Sequence, residues 1–338
     1  MHLALVIPAG LAAASGNVVM AERLALGLRA HGLKVSIITA DGIAARASKL
    51  AGFTWLHAFH ALKAGQAALA VAQATGTPLT VTCTGTDVEV DAHDPAKLEG
   101  LERVLNAALG IATLHEGMSA ALIQRFPHLA PKIAAIPQGP LLVPPAGTRR
   151  EDWGLSADHF VFLLPAGLRA VKRPGLALEP LAELHRDFPH LRLLVAGPPR
   201  EPEAARAFIE ELRGRPWARY LGEVPREQLM DLYQLSDVVL NTSAAEGMPN
   251  ALLEAMALGR PVLASNIPGN RALIEPEVNG LLSDGAASFY TAARRLLTDA
   301  DLRARLALKA KQTIAQHFRP EAEIAGYLEL LRRAGAPL

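Results

Sequence analysis

Short apolar runs alternate with longer Ala- and Leu-rich stretches along the whole chain, and this alternation constrains the fold more than any other feature. The short runs are apolar at successive positions, which predicts strands covered on both faces, as in parallel sheets. The predicted strands of the first half are Leu3–Ile7, Val35–Thr39, Trp55–His57, Leu79–Cys83, Gly110–Leu114 and Ile133–Ile136. Those of the second half are Phe160–Pro165, Leu191–Ala196, Tyr220–Leu221, Val238–Asn241 and Pro261–Ala264.

The stretches between these strands carry charges at helical spacing and predict helices. The main predicted helices are Val18–His31, Gly65–Thr75, Gly175–Asp187, Glu201–Arg213, Arg226–Leu235 and Ala251–Leu258. Because strands and helices alternate in each half, the sequence predicts an α/β protein with two Rossmann-like, doubly wound parallel-sheet domains.

The domain boundaries follow from length and from breaks in the pattern. A chain of 338 residues favours two domains, at about 150 residues per domain. The Pro- and Gly-rich segment Gln138–Arg150 is the predicted linker. The helical pattern of the last stretch breaks at Arg319–Pro320, which would let a final helix leave the second domain and pack on the first. We expect an N-terminal domain over residues 1–145, a C-terminal domain over residues 146–318 and a C-terminal helix over residues 319–338.

Composition and charge narrow the class of protein. With 34 Lys and Arg against 33 Asp and Glu, the net charge of +1 excludes a general basic field for nucleic acid. The single cysteine, Cys83, excludes an internal disulfide and a Cys-based zinc cluster, and it favours a reduced, cytoplasmic location.

The apolar stretch Leu3–Ala14 could be the core of a signal peptide or a buried strand followed by a turn. No Lys or Arg precedes it, and Pro8 and Gly10 interrupt it, so the strand is favoured. No later run reaches the ~18 uninterrupted apolar residues that a membrane span needs. The sequence therefore predicts a soluble protein, and it leaves open both contact with a membrane surface and homo-oligomerisation.

The segment Glu246-Gly-Met-Pro-Asn-Ala-Leu-Leu-Glu254 carries the strongest chemical signal. Gly247 opens a loop into a helix, and Pro249 suits a first helical turn. Such a helix start offers N–H groups and a positive dipole end, which suit a phosphate. Glu246 would lie on the loop and Glu254 about two turns into the helix, where a carboxylate can accept hydrogen bonds from sugar hydroxyls. The alternative is an ordinary helix start that follows an acidic residue.

Two cations follow the first predicted strand of the second half, in Leu163-Leu-Pro-Ala-Gly-Leu-Arg-Ala-Val-Lys-Arg-Pro174. Arg169 and Lys172 lie beyond the carboxyl end of the strand, which is the edge where ligands bind in open α/β sheets. An arginine can bind two phosphate oxygens at once, and a lysine acts as a movable point charge. The alternative is a pair of solvated surface cations, which is disfavoured because a phosphate-ready helix start lies in the same domain.

Polar residues also follow predicted strands of the first half. The turn Ala14-Ser15-Gly16-Asn17 has small residues that would let an acceptor or a donor phosphate approach the backbone, or it is a plain tight turn. In Thr82-Cys-Thr-Gly-Thr-Asp87, the side chains of Thr84, Thr86 and Asp87 would face the cleft in which the acceptor or donor binds. The alternative for Asp87 is a turn that caps a helix.

Three histidines follow or end strands of the first half. His57 and His60 lie at a predicted strand-to-helix junction, and His115 follows the fifth strand. Carboxylates are not spaced to complete a metal site around them, so the lining of a polar cleft is favoured over metal ligation and no metal is expected. The dinucleotide pattern Gly-x-Gly-x-x-Gly is absent from the sequence, which counts against a dehydrogenase.

The second half carries, in this order, the motifs Arg169-Ala-Val-Lys172, Gly222-Glu-Val-Pro225, the Glu246 and Glu254 pair, Pro261–Asn270 and Asn279-Gly-Leu-Leu282. This order resembles that of the retaining GT-B glycosyltransferases of family 4. A closer similarity is to the subgroup of glycosyltransferase 1 domain-containing proteins, through Ser15-Gly-Asn17, Thr84-Gly-Thr-Asp87, Pro137-Gln-Gly139 and Asn266–Asn270. The resemblance covers nearly the whole chain and is strongest over residues 160–285.

The resemblance implies a GT-B fold, in which an N-terminal acceptor-side domain and a C-terminal nucleotide-sugar-binding domain face each other across a cleft. Arg169 and Lys172 would neutralise the donor diphosphate in place of a metal. Glu254 would bind the ribose, Val224 would meet the base through its backbone, and Glu246 would contact the transferred sugar. The implied donor-binding residues are Gly16, Arg169, Lys172, Val224, Glu246, Gly247, Met248, Pro249, Asn250 and Glu254. The acceptor-side residues would be Asn17, His60, Thr84, Asp87 and His115.

One position departs from the family, because Thr84 stands where many members carry a His before the glycine. A catalytic His is therefore not carried over, and the leaving diphosphate itself can take the proton of the acceptor. Leaving-group stabilisation by Arg169 and Lys172 would then be the main electrostatic contribution, with Glu246 as the third catalytic residue.

We therefore expect a metal-independent, retaining glycosyltransferase of the hexosyltransferase type. It would use a UDP-sugar as its donor, without a further cofactor, and act on an unidentified acceptor. Two alternatives stay open. One is a nucleotide-sugar-binding protein without transferase activity, and the other is a GT-B enzyme that glycosylates a small seleno- or thio-nucleophile.

Overall fold

The first sheet contains parallel strands in the order β2-β1-β3-β4-β5-β6, in a computed structural model that describes residues 1–10, 15–45 and 52–338. The strands are β1 (His2–Ile7), β2 (Lys34–Thr39), β3 (Trp55–Phe59), β4 (Leu79–Thr82), β5 (Gly110–Thr113) and β6 (Ile133–Ala135). Four consecutive residues of β1, Leu3 to Val6, are all 0% exposed. This burial on both faces is the physical reason for the unbroken apolar runs in the sequence.

The ends of the helices that follow these strands are set by local sequence. The helices are α1 (Gly16–Ala30), α2 (Ala40–Ala45), α3 (Gly65–Thr75), α4 (Thr86–Glu89), α5 (Pro95–Ala107) and α6 (Glu116–Arg125). Ser15 caps α1 by accepting a hydrogen bond from the Val18 amide. Asp94 caps α5 in the same way, and Gly76 ends α3 in the left-handed conformation that glycine adopts readily.

The second sheet has the strand order β12-β11-β10-β7-β8-β9, and its paired strands are again parallel. The strands are β7 (Phe160–Pro165), β8 (Leu191–Ala196), β9 (Ala218–Gly222), β10 (Val238–Asn241), β11 (Val262–Ser265) and β12 (Leu281–Ser283). The strand β12 was not predicted; it is three residues long and pairs only with β11, at the edge of the sheet. Because the strands are parallel, the segments after β7, β8, β9 and β10 all begin at one edge.

Helices cover the second sheet, and the chain ends in two long helices. The helices of the second unit are α7 (Leu178–Asp187), α8 (Pro202–Glu211), α9 (Arg226–Leu235), α10 (Asn250–Ala257), α11 (Pro268–Arg271), α12 (Ala286–Thr298) and α13 (Ala300–His317). The last helix, α14 (Pro320–Arg333), packs on α1 and β5 instead. The core beneath the helices of the second sheet includes the fully buried side chains of Phe162, Leu181 and Phe289. Within the part of the chain that the structure describes, none of the helices is both long and apolar enough to cross a membrane.

Contacts divide the chain into two units. Unit 1 comprises Met1–Gly139, Ala245–Met248 and Phe318–Leu338, and unit 2 comprises Pro140–Ala244 and Pro249–His317. Within unit 1, α14 packs on α1 and β5, at positions where Gly27 and Gly110 leave room for Ile324 and Leu330. The short segment Ala245–Met248 clusters with unit 1, although the sequence analysis assigned it to the second domain.

Candidate functional site

The cation-bearing segment of unit 2 leaves β7 and folds into a short 3-10 turn, Ala170–Lys172. Its backbone is fixed to the residues after β10, the strand beside β7. The amide of Ala244 donates to the Val171 carbonyl at 2.8 Å, and the hydroxyl of Thr242 donates to the Lys172 carbonyl at 2.7 Å. The side chains of Arg169 and Lys172 are both half-buried. The two predicted cations therefore lie on a backbone that neighbouring strands hold in place, at the ligand-binding edge of the sheet.

Arg173 is a third cation of this segment, and sequence reasoning assigned it no role. It adopts a positive φ of 42°, an uncommon conformation for a residue with a side chain. Its guanidinium donates to the carbonyls of Thr242 at 3.1 Å and Ser243 at 2.9 Å, and to the Ser265 hydroxyl at 3.3 Å. Arg173 thus ties the segment to the ends of β10 and β11. It also lines a cavity of about 210 Å³ with Ser265 and Asp284.

Arg200, in the segment after β8, was also missed. Gly167 lies two residues before Arg169, and a Cβ on Gly167 would lie 3.1 Å from the Cγ of Arg200. The Arg200 side chain therefore passes directly over this glycine. The amides of Arg200 and Glu201 both donate to the Leu168 carbonyl, at 3.1 and 3.0 Å. Burial lowers the pKa of Arg200; Glu223 opposes this shift, and the nearby charge of Arg169 adds to it. A lone arginine in a polar segment gives no signal in the sequence that its side chain lies beside Gly167.

Glu254 is held by an unexpected partner. It lies on α10 and is 6% exposed, and its Oε2 accepts a hydrogen bond of 2.9 Å from the hydroxyl of Tyr233 on α9. Burial raises the pKa of Tyr233 well above its usual value, and the charge and hydrogen bond of Glu254 add to this shift. A neutral tyrosine therefore donates to the carboxylate that sequence analysis singled out for hydroxyl binding.

The start of α10 and the turn at Val224 both belong to unit 2. Pro249 is the N-cap of α10 and not a residue of its first turn; the helix covers Asn250–Ala257, so it begins and ends one residue earlier than the predicted Ala251–Leu258. Val224 is 9% exposed and lies in the turn after β9, where Gly222 has a φ of 74°. The amide of Gly197 donates to the Gly222 carbonyl at 2.7 Å, which joins the ends of β8 and β9. Unit 2 thus brings six of the predicted donor residues to one sheet edge. They are Arg169, Lys172, Val224, Pro249, Asn250 and Glu254.

The loop Glu246–Met248 belongs to unit 1, where its backbone packs against the residues that follow β4. A Cβ on Gly247 would overlap the carbonyl of Thr84 and would lie 3.0 Å from Leu114. A Cβ on Gly85, whose φ is 126°, would overlap the backbone of Gly247 in turn. Two glycines therefore allow a backbone contact that larger residues would prevent. Met248 is 5% exposed, and its carbonyl accepts a hydrogen bond from Gln138.

Asp87 organises the turn beside this loop. It is 0% exposed, and its carboxylate accepts hydrogen bonds from the amides of Thr84, Gly85 and Ala61 at 2.9 to 3.1 Å. The carboxylate therefore serves the local backbone, as in the capping alternative, and this differs from the orientation towards a cleft that we expected. Thr84 itself is half-buried, and Thr86 accepts or donates a hydrogen bond of 3.0 Å with His60.

His60 also points inward, although the sequence favoured a role in lining a cleft. It is 2% exposed and has a φ of 77°. Its ring nitrogens lie 3.8 Å from Asp87 and 3.7 Å from Asp91. Burial lowers its pKa, and the charge of Asp87 opposes that shift. His60 therefore belongs to a buried polar cluster beneath the turn at Thr84.

His115 is the N-cap of α6, and its Nδ1 accepts a hydrogen bond of 3.1 Å from the Met118 amide. The proton of a neutral ring is therefore on Nε2. Burial lowers the pKa of His115, while the backbone of Gly247 opposes the shift.

Of the expected acceptor-side residues, Asn17 at the start of α1 is half-buried beside the exposed Gly16. Ala14 of the same turn lies outside the described residues.

Over residues 1–10, 15–45 and 52–338, the structure shows no group of three His, Cys, Asp or Glu side chains that could hold a metal ion.

Comparison with known proteins gives matches to one family. Residues 147–313 match the family of glycosyl transferases group 1. The chain is 30% identical over 258 residues to glycosyltransferase 1 domain-containing protein 1 of Xenopus tropicalis, covering 73% of this chain and 74% of that protein. It is 34% identical over 177 residues to the D-inositol 3-phosphate glycosyltransferase of Corynebacterium urealyticum, covering 50% of this chain and 42% of that one.

Solved structures share the fold. Anabaena Alr3699/HepE, in complex with UDP and glucose, superposes with a TM-score of 0.80 at 18% identity, covering 97% of this chain and 99% of that one. Sucrose-phosphate synthase from Thermosynechococcus elongatus gives 0.81 at 20% identity, covering 98% of each chain. The predicted fold class, GT-B with two Rossmann-like domains, is therefore confirmed. Taken with the similarity to the Xenopus protein over nearly three quarters of both chains, these findings show that this chain is a glycosyltransferase and belongs to the group 1 family.

Proposed function

We propose that this glycosyltransferase transfers a sugar from a UDP-sugar to an acceptor hydroxyl with retention of configuration and without a metal ion. One observation carries the proposal. Unit 2 places Arg169 and Lys172, the amino end of α10 and the buried carboxylate of Glu254 at the same edge of its sheet. This set offers cations and a helix start to a diphosphate, and an acceptor of hydroxyl hydrogen bonds to a ribose.

The neighbours support the choice of donor. Anabaena Alr3699/HepE has been solved with UDP-glucose as well as with UDP and glucose. In the proposed complex, Arg169 and Lys172 bind the diphosphate, Glu254 accepts hydrogen bonds from the ribose, and the backbone of Val224 meets the uracil. Glu246 contacts the transferred sugar, and the segment Gly247–Asn250 lies beside the sugar and the phosphate.

The proposed reaction proceeds on one face of the sugar ring. The bond between the anomeric carbon and the UDP oxygen breaks, and the acceptor oxygen bonds to the same face of that carbon. The acceptor proton passes to a phosphate oxygen of the leaving UDP, since by the resemblance described above Thr84 takes the position of the family's histidine. Arg169 and Lys172 stabilise the charge that develops on the diphosphate, and that stabilisation lowers the barrier.

A panel of nucleotide sugars tests the donor and the need for a metal. UDP-glucose, GDP-glucose and ADP-glucose are each added to the full chain, with and without EDTA, and thermal unfolding and donor hydrolysis are followed. We expect UDP-glucose to raise the Tm and to be hydrolysed slowly, with EDTA making no difference. A Tm that responds only to another nucleotide, or hydrolysis that EDTA abolishes, would contradict the proposal.

The stereochemistry and the acceptor need a second experiment. Hydroxyl-bearing acceptors, including D-inositol 3-phosphate, the acceptor in the name of the Corynebacterium relative, are incubated with UDP-glucose. The anomeric configuration of any product is read by proton NMR. Retention gives an α-linked product from the α-linked donor, whereas a β-linked product would exclude the retaining mechanism.

A further inference from the structure

A continuous series of hydrogen bonds in unit 1 ends at the carbonyl of Met248. Glu323 on α14 accepts from the guanidinium of Arg23 on α1 through two bonds, at 2.6 and 2.9 Å. Arg23 also donates to Oε1 of Gln138 at 2.9 Å. The side-chain nitrogen of Gln138 then donates to the Met248 carbonyl at 2.5 Å. The amide of Gly139 completes the set by donating to Glu323 at 2.9 Å.

These side chains are almost fully enclosed. Arg23 is 3% exposed, and Gln138 and Glu323 are each 1% exposed. Removing an ion pair from water costs about as much as the pair gains, and apolar replacements are often equally stable. Stability alone is therefore a weak reason for an ion pair at this place. Orientation is a stronger one, because a buried network whose members are all bonded fixes each side chain in one geometry.

The network leaves the amide of Gln138 a single orientation. Arg23 has only donors, so it requires the side-chain oxygen of Gln138 to face it. The nitrogen of Gln138 must then face the carbonyl of Met248. A flipped amide would place two donors together at Arg23 and two acceptors together at Met248.

The hydrogen bond to Met248 holds one end of the Glu246–Met248 loop. A second contact of the loop is steric, because Gly247 packs on the carbonyl of Thr84 and on Gly85. The Gln138 amide therefore supplies a directional restraint two residues after Glu246.

We propose that Gln138 is a positioning residue for the Glu246–Met248 loop, with Arg23 and Glu323 holding its amide in the orientation that restrains Met248. The restraint itself follows from the contacts within unit 1. Its effect on sugar transfer rests on the function proposed above, in which Glu246 contacts the donor sugar.

Two substitutions of Gln138 separate an effect on the Glu246–Met248 loop from an effect on the stability of the whole fold. Gln138→Met has a similar length and removes both hydrogen bonds of the amide. Gln138→Glu keeps an acceptor oxygen for Arg23 but removes the N–H donor that reaches Met248. Tyr327→Phe is the matched control. It removes a buried 2.9 Å hydrogen bond between α14 and Thr82 of β4 and leaves the loop contacts intact.

The readout is hydrogen–deuterium exchange of the peptide that covers residues 245–251, measured with the full chain beside its Tm. We expect about tenfold faster exchange in both Gln138 variants, the factor that corresponds to one lost buried hydrogen bond. Tyr327→Phe should lower the Tm and leave this peptide at the wild-type rate. The proposal would be overturned if the peptide 245–251 of Gln138→Glu exchanged at the wild-type rate. It would also be overturned if the exchange rate of this peptide rose in step with the loss of Tm in all three variants.

Activity forms a separate arm of the experiment. Given the proposed function, kcat for UDP-glucose hydrolysis should fall about tenfold in both Gln138 variants and stay near wild type in Tyr327→Phe. If the wild-type chain neither binds nor hydrolyses any nucleotide sugar, the proposed function fails, while the exchange data still decide whether Gln138 restrains the loop. If Gln138→Met does not fold, Gln138→Asn, which shortens the amide, provides the second variant.

Discussion

The hydroxyl of Tyr233 donates a 2.9 Å hydrogen bond to Oε2 of Glu254, and both side chains are buried. Tyr233→Phe removes this donor without changing the shape of the ring. Glu254 then loses one hydrogen bond that orients its carboxylate, and since Glu254 is proposed to bind the ribose, we expect the affinity for UDP-glucose to fall about tenfold, or ~1.4 kcal/mol. Isothermal titration calorimetry measures the change.

Tyr290→Phe is the control for this prediction, since Tyr290 lies on α12 and packs against the core of the same unit. It should bind UDP-glucose as the wild type does. Unchanged affinity in Tyr233→Phe would mean that Glu254 is oriented by other contacts or does not bind the donor.

Lys172→Ala should fold normally and lose transfer, because it removes a charge proposed to stabilise the leaving diphosphate. Loss of a preorganised stabilising group reduces kcat/KM by roughly a hundredfold or more. Arg213→Ala is a suitable control, since Arg213 is exposed and pairs only at the surface with Glu210. Steady-state hydrolysis of UDP-glucose by both variants measures the effect, and wild-type turnover in Lys172→Ala would refute the assigned role.

Gly247→Ala should displace the loop within unit 1. The added Cβ would overlap the Thr84 carbonyl, and overpacking of this kind costs about 1–3 kcal/mol. We expect lower stability in urea denaturation together with reduced donor hydrolysis. Gly52→Ala adds the same atom where no heavy atom lies within 4 Å, so its stability should match the wild type. Equal stability of both variants would show that the loop has room to move aside.

The buried His57 should make the protein less stable in mild acid. Its nitrogens bond to Thr80 and Thr82, and burial lowers its pKa to about 3. Between pH 6.5 and 3 the unfolded chain therefore binds a proton that the folded chain does not, so the free energy of unfolding falls as the pH falls. The contribution from pH 6.5 to pH 5 is about 2 kcal/mol, at ~1.36 kcal/mol per pH unit.

Urea unfolding at pH 7.5 and pH 5 tests this sign. His57→Gln should be less stable than the wild type at pH 7.5 and should lose less stability on acidification. Substitution of His317, which is exposed at the end of α13, provides the control variant. If the wild type and His57→Gln lose the same stability, the histidine is not buried in its neutral form.

Strands with long apolar runs were predictable because both of their faces are covered. Phe160–Pro165, Leu191–Ala196 and Val238–Asn241 have the predicted bounds in the structure. The strand Leu281–Ser283 escaped because three residues at a sheet edge carry too little pattern. The meeting of the strand ends at one edge of the sheet was also predictable, since parallel strands bring their carboxyl ends together.

The direction of a polar side chain was harder to predict than its position. The sequence analysis located Asp87 in the turn after β4, where the structure has it. The sequence does not show that three backbone amides donate hydrogen bonds to its carboxylate. Tyr233 and Glu254 lie on different helices, 21 residues apart. Arg23 and Glu323 are 300 residues apart. Such pairs depend on how helices pack, which local periodicity does not encode.

The assignment of Ala245–Met248 to unit 1, with unit 2 on either side of it in sequence, has a consequence for protein engineering. A chimera that exchanges only residues 1–139 with those of a relative would join a foreign Thr84–Gly85 turn and Gln138 to the native loop. If the loop does not fit the foreign turn and Gln138, the activity of the hybrid would fall even when both halves fold. Hybrid enzymes should therefore take residues 245–248, together with residues 318–338 of the same unit, from the parent that supplies residues 1–139.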